Sequence, residues 1–348
     1  MWFRCLTTIL PNNDLVKTGT FPSFDPSANP CIIICNHQMD ADFFQIWKTF
    51  EACGGLGNIK IVLKAELASI PILNMGMVAF DFLFLTRDFD RDKVNLTDHF
   101  VSFSEDNISN FGVLIFPEGT TLNKTDQMKC DLFASKLRPS RRPLVSQFNN
   151  HLLLPRTNGF ETILRALSES GAKNVDVFDY TLIYEGYRGE VPTYEMGYDR
   201  ERDNIPSLHK ITGHDGLAGL PRVHVHSEKF TAKSILGNGG ASSSSLSSSS
   251  SPSVVETWLD QQWIRKGERI QNFVDEKNRH GVTTPPRQLS ENATKFTTSE
   301  LAKMGVICAA PMFAFVASPL LVICFGPLVF WVQVLAWGKG AVRAEHEQ

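Results

Sequence analysis

Seven short runs of apolar and β-branched residues recur along the chain: 31–35 CIIIC, 59–65 IKIVLKA, 82–86 FLFLT, 112–116 GVLIF, 151–155 HLLLP, 175–184 VDVFDYTLIY and 223–226 VHVH. Several are continuous rather than alternating, as expected of strands covered on both faces. Between them, 41–52, 93–108 and 160–171 read as helices. Strand and helix taking turns in this way predicts an α/β domain: a central, mostly parallel sheet flanked by helices. No internal repeat is visible.

The pattern changes after residue 236. GNGGASSSSLSSSSSPS, 237–253, is a flexible linker by composition. VVETWLDQQWIRKGERIQNFVDEK, 254–277, reads as an amphipathic helix carrying Trp258, Trp263 and Phe273. It either packs on the domain, the favoured role, or lies along a membrane interface. From Met304 to Gly338, 35 residues carry no charge and no histidine. A spanning helix needs about 20 apolar residues, and two spans about 40 plus a turn, so a single span fits. Pro311, Pro319 and Pro327 would kink it or mark a hairpin that re-enters the same face. Lys295 and Lys303 before the run nearly balance Lys339 and Arg343 after it, which leaves orientation open. The expected organisation is therefore a lead-in (1–30), an α/β domain (31–236), a Ser-rich linker (237–253), an amphipathic helix (254–280), a polar connector (281–303) and a transmembrane segment (304–338).

Composition narrows the class. At 43% hydrophobic and 20% charged, the 348 residues suit a globular body with a substantial core. A net charge of −3 disfavours a nucleic-acid binder. The seven cysteines are scattered, with no CxxC pair, which speaks against a disulfide framework or a zinc site. Sequons at Asn95, Asn107, Asn123 and Asn292 pull weakly toward a lumenal face. The N-terminal MWFRCLTTILPNN has too short an apolar core for a signal peptide.

Four expected strand ends carry chemistry. In CIIICNHQMDAD the strand stops at His37, with Asp40 and Asp42 just beyond. A carboxylate on one ring nitrogen would fix the tautomer and leave the other as a general base. Asp40 could instead be an N-cap, and His37 a structural turn residue. In FPEGTT, Glu118 follows a buried strand and Gly119 lets backbone approach a ligand; most such glutamates are exposed turn residues. Arg87, in FLFLTRDFDRDK, could grip a phosphate with its two-pronged guanidinium, or belong to a mixed-charge surface. LLLPRTNGF ends its run at Pro155 and Arg156. In an open α/β sheet such a shared edge is where ligands bind.

These blocks carry a resemblance. NHQMDAD resembles the NHx4D block of the glycerolipid acyltransferases, FPEGT their phosphate-side block and LLLPRTNGF their fourth, in the family's order and spacing over roughly residues 31–280. HVHSEKF (224–230) and the Trp258/Trp263 helix are most similar to the lysocardiolipin and lysophosphatidic acid acyltransferase branch. The resemblance implies acyl transfer from acyl-CoA to the free hydroxyl of a lysophospholipid, with no further cofactor, no metal and no nucleic-acid partner. It implies His37 as the base and Asp42, not Asp40, as its orienting partner. Arg87, Glu118, Gly119 and Thr120 are then expected on the phosphate side of the acceptor, with Lys64, Pro155 and Arg156 completing the substrate site. Membrane lipid is the expected surroundings and the endoplasmic reticulum the first expected location, a mitochondrial or other endomembrane being the alternatives.

Two features depart from the family. Many relatives have arginine after FPEGT where this chain has Thr121, so the phosphate grip falls more on Arg87, Lys64 or Arg156. Only 36 residues precede His37, none forming a span, so a shortened or truncated version of the family pattern is expected. Two other readings compete. One is a catalytically silent lipid-binding scaffold on the same fold, which would not need both His37 and Asp42. The other is metal-dependent hydrolysis through His37, Asp42, His224 and His226, which no metal-ligand spacing supports.

Overall fold

The computed structural model describes residues 15–280 except 26, 40–41, 56, 70–76, 79, 87, 106–109, 171, 173, 186, 192–221 and 238–252. Seven strands, β1 (Leu15–Gly19), β2 (Cys31–Cys35), β3 (Ile59–Lys64), β4 (Leu83–Leu85), β5 (Gly112–Ile115), β6 (Asp176–Tyr184) and β7 (Val223–Thr231), form one sheet in the order β1-β7-β6-β2-β5-β3-β4. From β6 to β4 every neighbouring pair is parallel; β7 runs antiparallel to β6 and parallel to β1. The expected α/β class and mostly parallel sheet are present. β2, β5 and β6 are buried at every position, which is why their sequences are continuous rather than alternating. β7, with one row facing outward, alternates over most of its length.

The helices are α1 (Asp42–Glu51), α2 (Phe89–Glu105), α3 (Lys124–Ala134), α4 (Arg142–Val145), α5 (Thr157–Glu169), α6 (Ala232–Leu236) and α7 (Val254–His280). The connection β2–α1–β3 moves along the sheet toward β4, whereas β4–α2–β5 and β5–α5–β6 move the other way. Right-handed crossovers then put α2 and α5 on one face and α1 on the other, and α2 indeed packs along α5. Between neighbours β2 and β5 the connections therefore leave to opposite faces. That is the topological switch point, where a crevice opens beyond the carboxyl ends of the strands.

The run 151–155 is not a strand. Its residues 151–154 are buried, but their backbone donors go to turns rather than to a ladder: His151 N–H donates to Asn149 Oδ1 (3.3 Å) and Leu153 N–H to Glu118 Oε2 (3.1 Å), while Arg156 N–H just past the run donates to Pro117 O (2.8 Å). Pro155 has no N–H to give a ladder. The four expected strand ends are thus three strand ends and a buried loop.

The 254–277 segment takes the packing role and extends to His280. Leu259, Trp263 and Ile270 are buried against the core, and Lys266, wholly buried, pairs with Asp179 and donates to Tyr180 O of β6. Arg141 donates to both oxygens of Asp260 (2.7 Å each) and to Pro155 O (3.2 Å), which ties α7 to the buried loop. Among the described residues no helix is long and apolar enough to cross a membrane. The 304–338 run lies outside them.

Candidate active site

β2 ends where a side chain takes over from its backbone. Asn36 Nδ2–H donates to Leu182 O (3.0 Å) and Asn36 Oδ1 accepts from Leu182 N–H (2.8 Å), so the amide extends the β2–β6 ladder by one rung. The main chain is then free to turn, and the turn delivers His37 to the crevice. Asp42, first residue of α1 and fully buried, sits behind it.

His37 Nδ1 lies 2.9 Å from Asp42 Oδ2, which also accepts the Met39 N–H at 2.9 Å. Asp42 Oδ1 accepts the hydroxyl of Tyr184, the last residue of β6, at 2.6 Å. Three donors from two elements fix this carboxylate. With Nδ1–H donating to it, the imidazole carries its lone pair on Nε2, which has no partner among the described residues. The ring is stacked on Phe116, centroids 4.2 Å apart and planes 22° from parallel. It is oriented at its edge and clamped on one face.

The FPEGTT turn interlocks with this one. Glu118 is not an exposed turn carboxylate: it is 2% accessible and its two oxygens accept the backbone N–H groups of His37 (3.2 Å) and Leu153 (3.1 Å). Burial pushes its carboxyl up to about 8, although the two N–H bonds pull the other way. Leu122 N–H donates to His37 O at 2.8 Å. Gly119 has φ +72°, a conformation that side chains rarely adopt, and the Arg156 side chain lies in van der Waals range of it, 3.5 Å from where a Cβ would stand. The exposed Arg156 guanidinium thus lies across Gly119. Thr120 Oγ1 reaches Asp126 Oδ2 at 3.5 Å.

The structure therefore brings together His37, Asp42, Glu118, Gly119, Thr120, Pro155 and Arg156 around the switch point. Lys64 ends β3, two strands from β2, and is exposed. Arg87 and Asp40 lie outside the described residues. His224 meets the Phe273 ring at a tilt (centroids 4.9 Å apart, planes at 59°), while His226 meets Thr18 Oγ1 (2.9 Å) and Glu228 (3.4 Å). Sequence reasoning missed Tyr184, Phe116 and Asn36. Phe116 and Asn36 stand inside the quoted motifs, but only three-dimensional pairing gives them roles. For Tyr184 the sole signal is a hydroxyl at the end of a buried run.

The acyltransferase family profile matches residues 17–177, which contain His37, Asp42, Lys64, Arg87, Glu118, Gly119, Thr120, Pro155 and Arg156 but neither Tyr184 nor the β7 histidines. Lysocardiolipin acyltransferase 1 of Mus musculus is 29% identical over 268 residues, 75% of this chain and 59% of that one. Probable 1-acyl-sn-glycerol-3-phosphate acyltransferase 5 of Arabidopsis thaliana is 31% identical over 170 residues, 49% and 41% of the two chains. The crystal structure of the 1-acyl-sn-glycerophosphate (LPA) acyltransferase PlsC from Thermotoga maritima covers 77% of each chain at 13% identity and a TM-score of 0.36. The chain thus contains an acyltransferase domain. Its match to the family covers residues 17–177, and the chain spans about half the length of the curated relatives it matches.

Proposed function

We propose that this protein transfers an acyl chain from acyl-CoA to the free hydroxyl of a lysophospholipid of lysophosphatidic acid or lysocardiolipin type. The supporting observation is the His37–Asp42 pair: Nδ1 held at 2.9 Å by a carboxylate that two further donors immobilise, Nε2 free at the sheet's switch point. Nε2 takes the acceptor hydroxyl proton as the oxygen attacks the thioester carbonyl. The tetrahedral intermediate collapses with cleavage of the C–S bond, and the imidazolium returns its proton to the departing thiolate. Asp42 keeps the tautomer and steadies the transient positive charge. Arg87, Lys64 and Arg156 supply positive charge for the acceptor phosphate, and Gly119, Thr120 and Pro155 shape the turns that admit it. Glu118, its oxygens occupied by backbone, acts by holding the His37 and Leu153 turns together. The run 304–338 anchors the chain in an endomembrane, the endoplasmic reticulum in the first instance.

The test is purified full-length protein given labelled oleoyl-CoA and a panel of lysophospholipids. Product should form with lysophosphatidate or monolysocardiolipin, and His37→Ala should reduce its rate by about 10²–10⁴, the usual weight of a general base. A wild-type protein that binds acceptor yet acylates none of the panel would refute transfer and leave the scaffold reading.

A further inference from the structure

α3 begins two residues after Leu122, whose N–H is bonded to His37 O, so it leaves directly from the candidate active site. None of its residues is buried. Three of them are large apolar side chains left in the open: Met128 (65% accessible), Leu132 (62%) and Phe133 (56%). At 100° per residue, Met128 and Leu132 form a strip along the outward face, and Phe133 stands about 100° further round from Leu132, beyond Lys129. Lys124 lies on one side of this strip, and Lys129 and, just past the helix end, Lys136 lie on the other. Asp131 is the single acidic residue fully exposed on the helix; Asp126 is turned partly inward, held by Asn123 (2.8 Å) and Lys129 (2.7 Å). Beyond the helix, Arg142 donates to Leu137 O (2.7 Å) and Ser135 O (3.2 Å), adding a cation where the helix dipole is negative.

We infer that this face of α3 rests on the surface of an anionic phospholipid bilayer. Apolar side chains at the centre with lysines at the rim is the pattern of a helix lying in an interface. The stems of such lysines follow the apolar strip while their ammonium groups stay among lipid phosphates. A protein partner of ordinary composition would meet depleted, not enriched, lysine around such a strip. The inference deepens the proposed function, because a lipid acceptor would reach the His37 turn from the surface on which α3 lies; its test reads binding, not turnover. It also reassigns the interfacial role from the 254–277 helix, whose apolar side is spent on the core.

The full-length protein with Leu132→Trp is reconstituted with vesicles of phosphatidylcholine and phosphatidylglycerol whose acyl chains are brominated. Its emission, after subtraction of the parent protein's tryptophans, is compared with that of Val94→Trp, an exposed position on α2. The expected result is roughly twofold stronger quenching at position 132 than at 94, consistent with shallow burial of an interfacial helix. Replacing Lys124, Lys129 and Lys136 with glutamine in the Leu132→Trp protein should reduce the dependence on phosphatidylglycerol. Red-shifted, unquenched emission at 132 would put the face in water, and blue-shifted, unquenched emission would put it under protein; either overturns the inference. Equal quenching in neutral and anionic vesicles would overturn the choice of anionic lipid. Normal quenching in a protein without transferase activity would leave this inference standing while the catalytic reading fails.

Discussion

Asp42 and Glu118 are both buried carboxyls beside His37, yet their surroundings differ. Asp42 accepts from an imidazole, a hydroxyl and one backbone N–H, whereas Glu118 has two backbone N–H groups and is dominated by burial. Removing the Tyr184 hydroxyl leaves Asp42 Oδ1 without its donor. Tyr184→Phe should cost about 1–3 kcal/mol of stability and slow transfer roughly tenfold, equivalent to ~1.4 kcal/mol, with little change in acceptor affinity. An unchanged rate would show that Met39 and His37 suffice to hold the carboxylate. Glu118 makes a pH prediction. Below about pH 4.5 folded and unfolded chains both carry its proton; between there and about pH 8 only the folded chain keeps it, so stability falls as pH rises, and above 8 the loss is complete. Glu118→Gln should flatten this part of the stability curve in urea titrations. It should also lose one backbone bond, about 1 kcal/mol, because an amide accepts on one side only. A slope that survives the substitution belongs to another group. At this scale the His37–Asp42 pairing was legible because five residues of sequence separate them. The role of Glu118 was not, since burial and two N–H partners come from turns 81 and 35 residues away.

At the scale of elements, β2, β5 and β6 were legible because full burial leaves a continuous apolar run. The 151–155 run misled for the same reason: burial was read correctly, but a buried loop and a buried strand share that signature until hydrogen-bond partners are known. β1 and α3 gave the pattern little to work with, β1 being half open at an edge and α3 having no buried residue. In α7 the sequence announced an amphipathic helix but not its buried lysine. Lys266 faces Asp179 and the Tyr180 carbonyl inside the protein, and burial holds the Asp179 carboxyl above its ordinary range even against that cation. Lys266→Met should therefore destabilise the protein by about 3–5 kcal/mol, since it strands a buried carboxylate, and Lys266→Met with Asp179→Leu should recover much of the loss. Chemical denaturation of the three proteins measures it. A double variant no more stable than the single would mean that α7 is held by the ion pair itself rather than by Trp263 and its apolar neighbours.

For the whole molecule, attachment to lipid is divided between two proposed contacts with different physics. The apolar run 304–338, with 35 residues and no charge, would act as an anchor that ionic strength and pH do not release. The α3 face depends on three lysines and a narrow apolar strip, so its hold should weaken as salt screens the lipid charge. Deleting 301–348 separates the two. The full-length protein should remain with membranes through an alkaline carbonate wash. The shortened protein should be released by carbonate, and should bind anionic vesicles less tightly as salt is raised from about 0.05 to about 0.5 M, over which the Debye length falls severalfold. Adding Leu132→Ser to the shortened protein should remove most of that residual binding, while in the full-length protein the same change should leave carbonate resistance intact. Should the shortened protein still resist carbonate, the 304–338 run would not be the principal anchor, and an apolar contact of the domain itself would have to take its place.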